Sequence, residues 1–110
     1  MNSNDPIVIV SAARTPMGGF QGTLSAASAP ELGATAIRAA VERAGIASEE
    51  IQEVFMGNVL SAGLGQAPTR QAALGAGLSL NTQCAGVSKV CGSGIKAVMT
   101  AHDVLVAGSQ

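Results

Sequence analysis

Val90-Cys91-Gly92-Ser93-Gly94-Ile95-Lys96 joins two kinds of sequence periodicity. Upstream, Gln83 to Val90 reads as a strand that runs into the cysteine. Downstream, Ile95, Val98, Met99, His102, Leu105 and Val106 recur at helical spacing, and Gly108 is placed to end the helix. The junction is a glycine-flanked turn with a thiol at its head. A strand passing directly into a helix is the repeating unit of α/β proteins.

The same alternation extends toward the N-terminus. Pro68 opens a helix through Leu74, closed by Gly75 or Gly77, and the loop Ser61 to Gly65 leads into it. Glu53 to Leu60 reads as a strand because Val54, Phe55, Val59 and Leu60 favour extended structure. Ser48-Glu49-Glu50-Ile51 fits a short capped turn. Ser28 stands three residues before Glu31, a capping-box spacing with Pro30 in the first turn. Leu32, Ala36, Ile37, Ala40, Val41 and Ala44 then mark one helical face, and Gly45 ends it. Ile7 to Val10 is a β-branched run expected to form a buried strand ending before Pro16, followed by a loop over Met17 to Ala27.

Composition narrows the class. Across 110 residues, 47% are hydrophobic and only 12% are charged, about half the usual charged share. Trp and Tyr are absent, Phe occurs twice, and glycine alone supplies 14 residues. Small side chains allow close approach of elements but bury little area each, so the chain reads as interior layers of a larger body. A net charge of −1, with scattered basic residues, gives no basis for nucleic acid or an acidic membrane as partner. Nothing in the sequence approaches a membrane span, and the apolar run Ile7 to Val10 is too short for a signal core. A cytoplasmic protein is expected. The two cysteines, Cys84 and Cys91, are expected as free thiols, and with a single His they are too few for a zinc site.

Cys91 is the candidate nucleophile. The unpaired N–H groups and dipole at a helix N-terminus favour a thiolate, and Gly92 and Gly94 let a substrate approach the backbone. An N–H of Cys91 or a neighbour would serve a developing oxyanion. The alternative is a buried structural cysteine at a glycine-rich turn. The turn lacks the Gly-Lys-Ser/Thr ending of a phosphate loop and is not a Gly-x-Ser-x-Gly elbow. A nucleophilic cysteine needs a base, yet His102 lies eleven residues along the same helix, about 16 Å away along its axis. His102 is therefore an ordinary, partly exposed helix residue beside Asp103. The chain stops at Gln110, where the alternating layout calls for another strand, so the boundary is expected to be imposed.

Four stretches together resemble the thiolase family. Ile7-Val8-Ile9-Val10-Ser11-Ala12-Ala13-Arg14-Thr15-Pro16 looks like its amino-terminal strand and exit. Glu53 to Leu60 resembles its second strand, and Gly65-Gln66-Ala67-Pro68-Thr69-Arg70-Gln71-Ala72 the following loop and helix. Val90 to Ala97 resembles the nucleophile turn. The likeness is nearer to acetyl-CoA acetyltransferases than to ketoacyl synthases.

The resemblance implies part of the amino-terminal half of a five-layered αβαβα fold, with residues 1–110 an incomplete amino-terminal domain. It implies that Cys91 carries an acyl group from a coenzyme A thioester, which a second acetyl-CoA carbanion attacks; in reverse, coenzyme A cleaves a 3-ketoacyl-CoA. Coenzyme A thioesters enter as substrates, with no further cofactor or metal, and a homo-oligomer (dimer or tetramer) is implied. The family's other catalytic groups, two His and a second Cys, fall in later sequence. Cys84 does not fill that second role and is read as structural; Ser93 and Lys96 are given no role. These residues alone are expected to catalyse nothing. The competing reading is a non-catalytic thiolase-like subunit or interaction module that needs a second chain.

Overall fold

The computed structural model describes residues 6–110. Helix α1 spans Ala29–Ala44, a short 3-10 turn follows at Ser48–Glu50, and strand β1 spans Glu53–Gly57. Helix α2 covers Pro68–Gly75, strand β2 Gln83–Val87 and helix α3 Ser93–Ala107. The two strands are parallel, in register from Glu53 opposite Gln83 to Gly57 opposite Val87. A parallel pair needs a long crossover, which α2 and its flanking loops supply. The expected α/β alternation is thus present.

Local chemistry sets the helix ends. Glu31 N–H donates to Ser28 Oγ and Ser28 N–H to Glu31 Oε2, both at 3.3 Å, completing the capping box. Gly45 closes α1 in the left-handed region (φ 68°) and donates its N–H to Glu42 O. Pro68 opens α2 and Gly108 (φ 76°) closes α3. In the loop before α2, Gln71 Nε2 donates to Leu64 O and Gln66 O at 2.8 and 2.9 Å.

Packing relies on small residues. The buried apolar set among the described residues is Ala34, Ala72, Ala73, Leu78 and Ala97. Helices α1 and α2 meet so closely that a β-carbon on Gly33 would lie 3.0 Å from Ala72 Cβ and 3.2 Å from Met56 Cε. Arg70 anchors the segment after α2 by donating to Thr82 O at 2.7 Å and Leu80 O at 3.0 Å. Thr82 Oγ in turn donates to Ile51 O, stitching the residue before β2 to the second residue before β1.

Three sequence expectations are corrected. Ile7 to Val10 belongs to neither strand, and Val8, Ile9 and Val10 are exposed. β-Branched residues favour extended backbone, but a strand exists only with a ladder partner, and none pairs with this run among the described residues. Its continuation is held instead by Arg43, which donates to Ala12 O at 2.9 Å. The strand expected over Glu53 to Leu60 stops at Gly57, where the chain is pressed against the first turn of α3.

The third correction concerns membrane spans. The 18-residue stretch Val90–Ala107 reaches a mean hydropathy of 1.2, within the range of membrane-crossing segments by composition. The helix itself has 15 residues. That is about 22 Å of rise, short of a hydrocarbon core of about 30 Å. Its inner residues Ser93 and Ala97 are buried, and the helix packs on β1. Ile95, Val98, Met99, Leu105 and Val106 remain exposed around it. A helix apolar on most sides is characteristic of the interior of a larger body.

The α1–α2 contact provides a stability test. Gly33→Val, forced against Ala72, is expected to lower unfolding free energy by about 1–3 kcal/mol. A urea-denaturation midpoint equal to wild type would contradict this account of the contact.

Candidate functional site

The turn between β2 and α3 is built by one side chain. Ser93, first residue of α3 and 4% exposed, accepts from Lys89 N–H at 2.9 Å and donates to Val90 O at 2.7 Å. Gly92 N–H also donates to Lys89 O, and Ser93 N–H to Val90 O. These bonds take the backbone groups that a longer strand would have offered to a neighbour. The strand therefore ends at Val87 rather than Val90, correcting the sequence reading.

Val90 has φ 48°, the left-handed region, rare for a β-branched residue. Such a conformation costs about 1–3 kcal/mol and persists only where its surroundings over-determine it. Cys91 follows immediately, exposed and free, one residue ahead of the N-cap Gly92. Its exposure argues against the buried structural cysteine weighed from sequence.

Gly57, which the sequence reading did not single out, helps shape the candidate site. A β-carbon there would lie 2.5 Å from both Gly94 N and Ser93 C, and 2.7 Å from Ser93 O. The end of β1 is thus pressed against the first peptide of α3, and only glycine permits it. The signal in sequence was slight: one Gly in a strand, which by itself suggests a bulge or a close approach.

The donors available at the helix head can be named. The N–H groups of Gly92 and Ser93 are committed to the turn. Lys96 N–H donates to Gly92 O at 2.9 Å. Gly94 and Ile95, second and third residues of α3, have no intrahelical acceptor for their N–H groups.

The remaining sequence candidates lie elsewhere. Cys84 is half-buried on β2, with its thiol donating to Thr82 O at 3.7 Å. His102 is exposed far along α3, its Nδ1 3.1 Å from Asp103 Oδ1. Neither is brought into the Cys91 turn, as the sequence reading expected. Among the described residues Lys96 Nζ makes no hydrogen bond or ion pair, and the residue is half-buried in α3.

A parallel α/β unit whose second strand delivers an exposed cysteine to a helix N-terminus defines a recognisable class. The chain belongs to the thiolase family: the family described as "Thiolase, N-terminal domain" matches residues 7–110. Acetyl-CoA acetyltransferase B, mitochondrial, of Xenopus laevis is 61% identical over 104 residues, covering 94% of this chain and 25% of the relative. The mitochondrial acetyl-CoA acetyltransferase of Homo sapiens is 57% identical, covering 94% of this chain and 24% of the relative. Among solved structures, the Acat5 thiolase of Ascaris suum in complex with coenzyme A superposes with a TM-score of 0.88 at 39% identity. It covers 91% of this chain and 26% of that one. The acetyl-CoA acetyltransferase of Syntrophomonas wolfei superposes with a TM-score of 0.89 at 35% identity, covering 94% and 26%. The chain spans about a quarter of the length of the curated relatives it matches.

These relatives also correct the expected cytoplasmic location. The curated relatives from frog, mouse, cattle and human are all mitochondrial by name. The expectation rested on the lack of a secretory signal core, a feature that does not separate cytoplasm from mitochondrion.

The Gly57 contact yields a direct test. Gly57→Ala is expected to displace the first turn of α3 and destabilise the protein by about 1–3 kcal/mol. A crystal structure of the variant with Ser93 and Gly94 unmoved would contradict the close-approach reading.

Proposed function

We propose that this chain carries the nucleophile of an acetyl-CoA acetyltransferase, with Cys91 as the acyl carrier. The observation that carries the proposal is the exposed Cys91 thiol, set by the Ser93-bonded turn at the head of α3. Membership of the thiolase family and relatives named for this activity support it. The coenzyme A complex of the Ascaris suum relative supports a coenzyme A thioester as substrate.

In the first step the Cys91 thiolate attacks the carbonyl carbon of acetyl-CoA. A sulfur–carbon bond to Cys91 forms as the bond to coenzyme A breaks, and coenzyme A leaves and takes up the proton given by Cys91. Free N–H groups at the start of α3 favour the negative charge of both thiolate and tetrahedral oxyanion. In the second step a base removes an α-proton from another acetyl-CoA, and the carbanion attacks the acetyl carbon. The bond to Cys91 breaks, giving acetoacetyl-CoA; thiolysis is the reverse sequence. His102 stands too far along α3 to serve as that base. The base and acid therefore belong to residues other than those described.

Residues 1–110 are read in the same proposal as an incomplete thiolase amino-terminal domain. The quarter-length coverage of the relatives supports this. The exposed apolar residues of α3 support burial within a larger assembly, including a homo-oligomer.

Ping-pong acyl transfer makes a specific demand. The enzyme carrying these residues is expected to exchange labelled coenzyme A into acetyl-CoA. Cys91→Ala should reduce that exchange by at least about a thousandfold. Undiminished exchange in the variant would overturn the assignment.

A further inference from the structure

We propose that Ser93 is the positioning residue for the Cys91 thiol, acting by holding Val90 in its left-handed conformation. The inference rests on the acyl-carrier reading of Cys91 and deepens it. Ser93 touches no reacting atom in this account; it acts through the backbone that carries the nucleophile.

The hydroxyl spans the turn. It accepts from Lys89 N–H at 2.9 Å and donates to Val90 O at 2.7 Å, so the Lys89–Val90 segment is held at both ends by one oxygen. Val90 at φ 48° would otherwise return toward the β region that a β-branched side chain prefers. That return rotates the peptide joining Val90 to Cys91, and with it the direction in which the thiol leaves the backbone.

The other half of the arrangement is the seat beneath it. Ser93 is buried, and its carbonyl carbon and oxygen lie where a Gly57 β-carbon would collide. The clamp is therefore fixed to β1 while its hydroxyl holds the exposed end of the turn. Gly92 N–H to Lys89 O and Ser93 N–H to Val90 O close the same loop from the backbone side, at 2.9 and 3.3 Å. These backbone bonds favour a turn. The hydroxyl alone reaches the Lys89 N–H, and that added bond holds the Lys89–Val90 segment in the geometry the backbone bonds favour.

A strain-based role differs from simple stabilisation in what rescues it. Glycine adopts positive φ without steric cost. Replacing Val90 by glycine should therefore remove most of the need for Ser93.

The test uses the enzyme containing these residues and compares two reactions of Cys91. Transfer from acetyl-CoA, read as single-turnover thioester formation, depends on the direction of the thiol. Alkylation by iodoacetamide, a small and weakly directional electrophile, reports access and reactivity. Ser93→Ala is expected to slow acetylation by about 10- to 100-fold while alkylation changes by less than about threefold. Adding Val90→Gly should recover a large part of the lost acetylation.

Acetylation at the wild-type rate in Ser93→Ala overturns the proposal, as does an equal loss in both reactions or the absence of recovery. If Ser93→Ala alone does not fold, the comparison is made within Val90→Gly. There, removing Ser93 should cost less than about threefold, and a loss of about tenfold overturns the proposal. A wild-type enzyme that alkylates at Cys91 but takes no acetyl group there refutes the acyl-carrier reading, and the Ser93 proposal falls with it. Normal wild-type acetylation with an insensitive Ser93→Ala refutes the positioning role alone.

Discussion

Where β1 ends, Gly57 lies under the Ser93–Gly94 peptide with no room for a β-carbon. That approach fixes the start of α3 relative to the sheet, and the start of α3 fixes the Cys91 turn. Ser93 belongs to both sides of the arrangement: its backbone rests on Gly57, and its hydroxyl closes the turn over Lys89 and Val90. A strained Val90 is tolerable because the surroundings leave the chain no alternative path. An exposed thiol is thus carried on a firmly located backbone, as the proposed role of Cys91 as an acyl carrier requires.

The rest of the molecule is built around close approach rather than large buried side chains. Ala34, Ala72, Ala73 and Ala97 dominate the buried set, and Gly33 and Gly75 each sit against a neighbouring helix's methyl group. Such contacts define distances well but remove little apolar surface from water. Meanwhile Ile9, Phe20, Leu60, Leu80, Ile95 and Val98 are exposed. A chain with this balance leaves apolar surface open to covering elements. That agrees with family membership and with relatives roughly four times as long.

Much of the fold was legible because its signals are local. The Ser28–Glu31 box, Gly45, Pro68 and Gly108 act within one helical turn, and each stands where the sequence placed it. Non-local facts were not legible in the same way. Ile7 to Val10 has the composition of a strand, yet no ladder partner among the described residues. Val90 has a strand former's side chain, but a serine three residues later captures its carbonyl and the preceding N–H. Gly57 gave only a slight local hint, a lone glycine in a strand, that α3 would pass within contact. The position of Cys91 was readable from the turn composition, whereas the hydroxyl that shapes the turn became visible only with coordinates.

The central claim is that the thiol at the head of α3 carries the acyl group. It is tested most directly by quenching the enzyme in acid shortly after mixing with acetyl-CoA and mapping its peptides by mass spectrometry. The account predicts a single acetyl group, labile to hydroxylamine, on the peptide containing Cys91 and none on the peptide containing Cys84. An unmodified Cys91 peptide alongside ongoing turnover would contradict it.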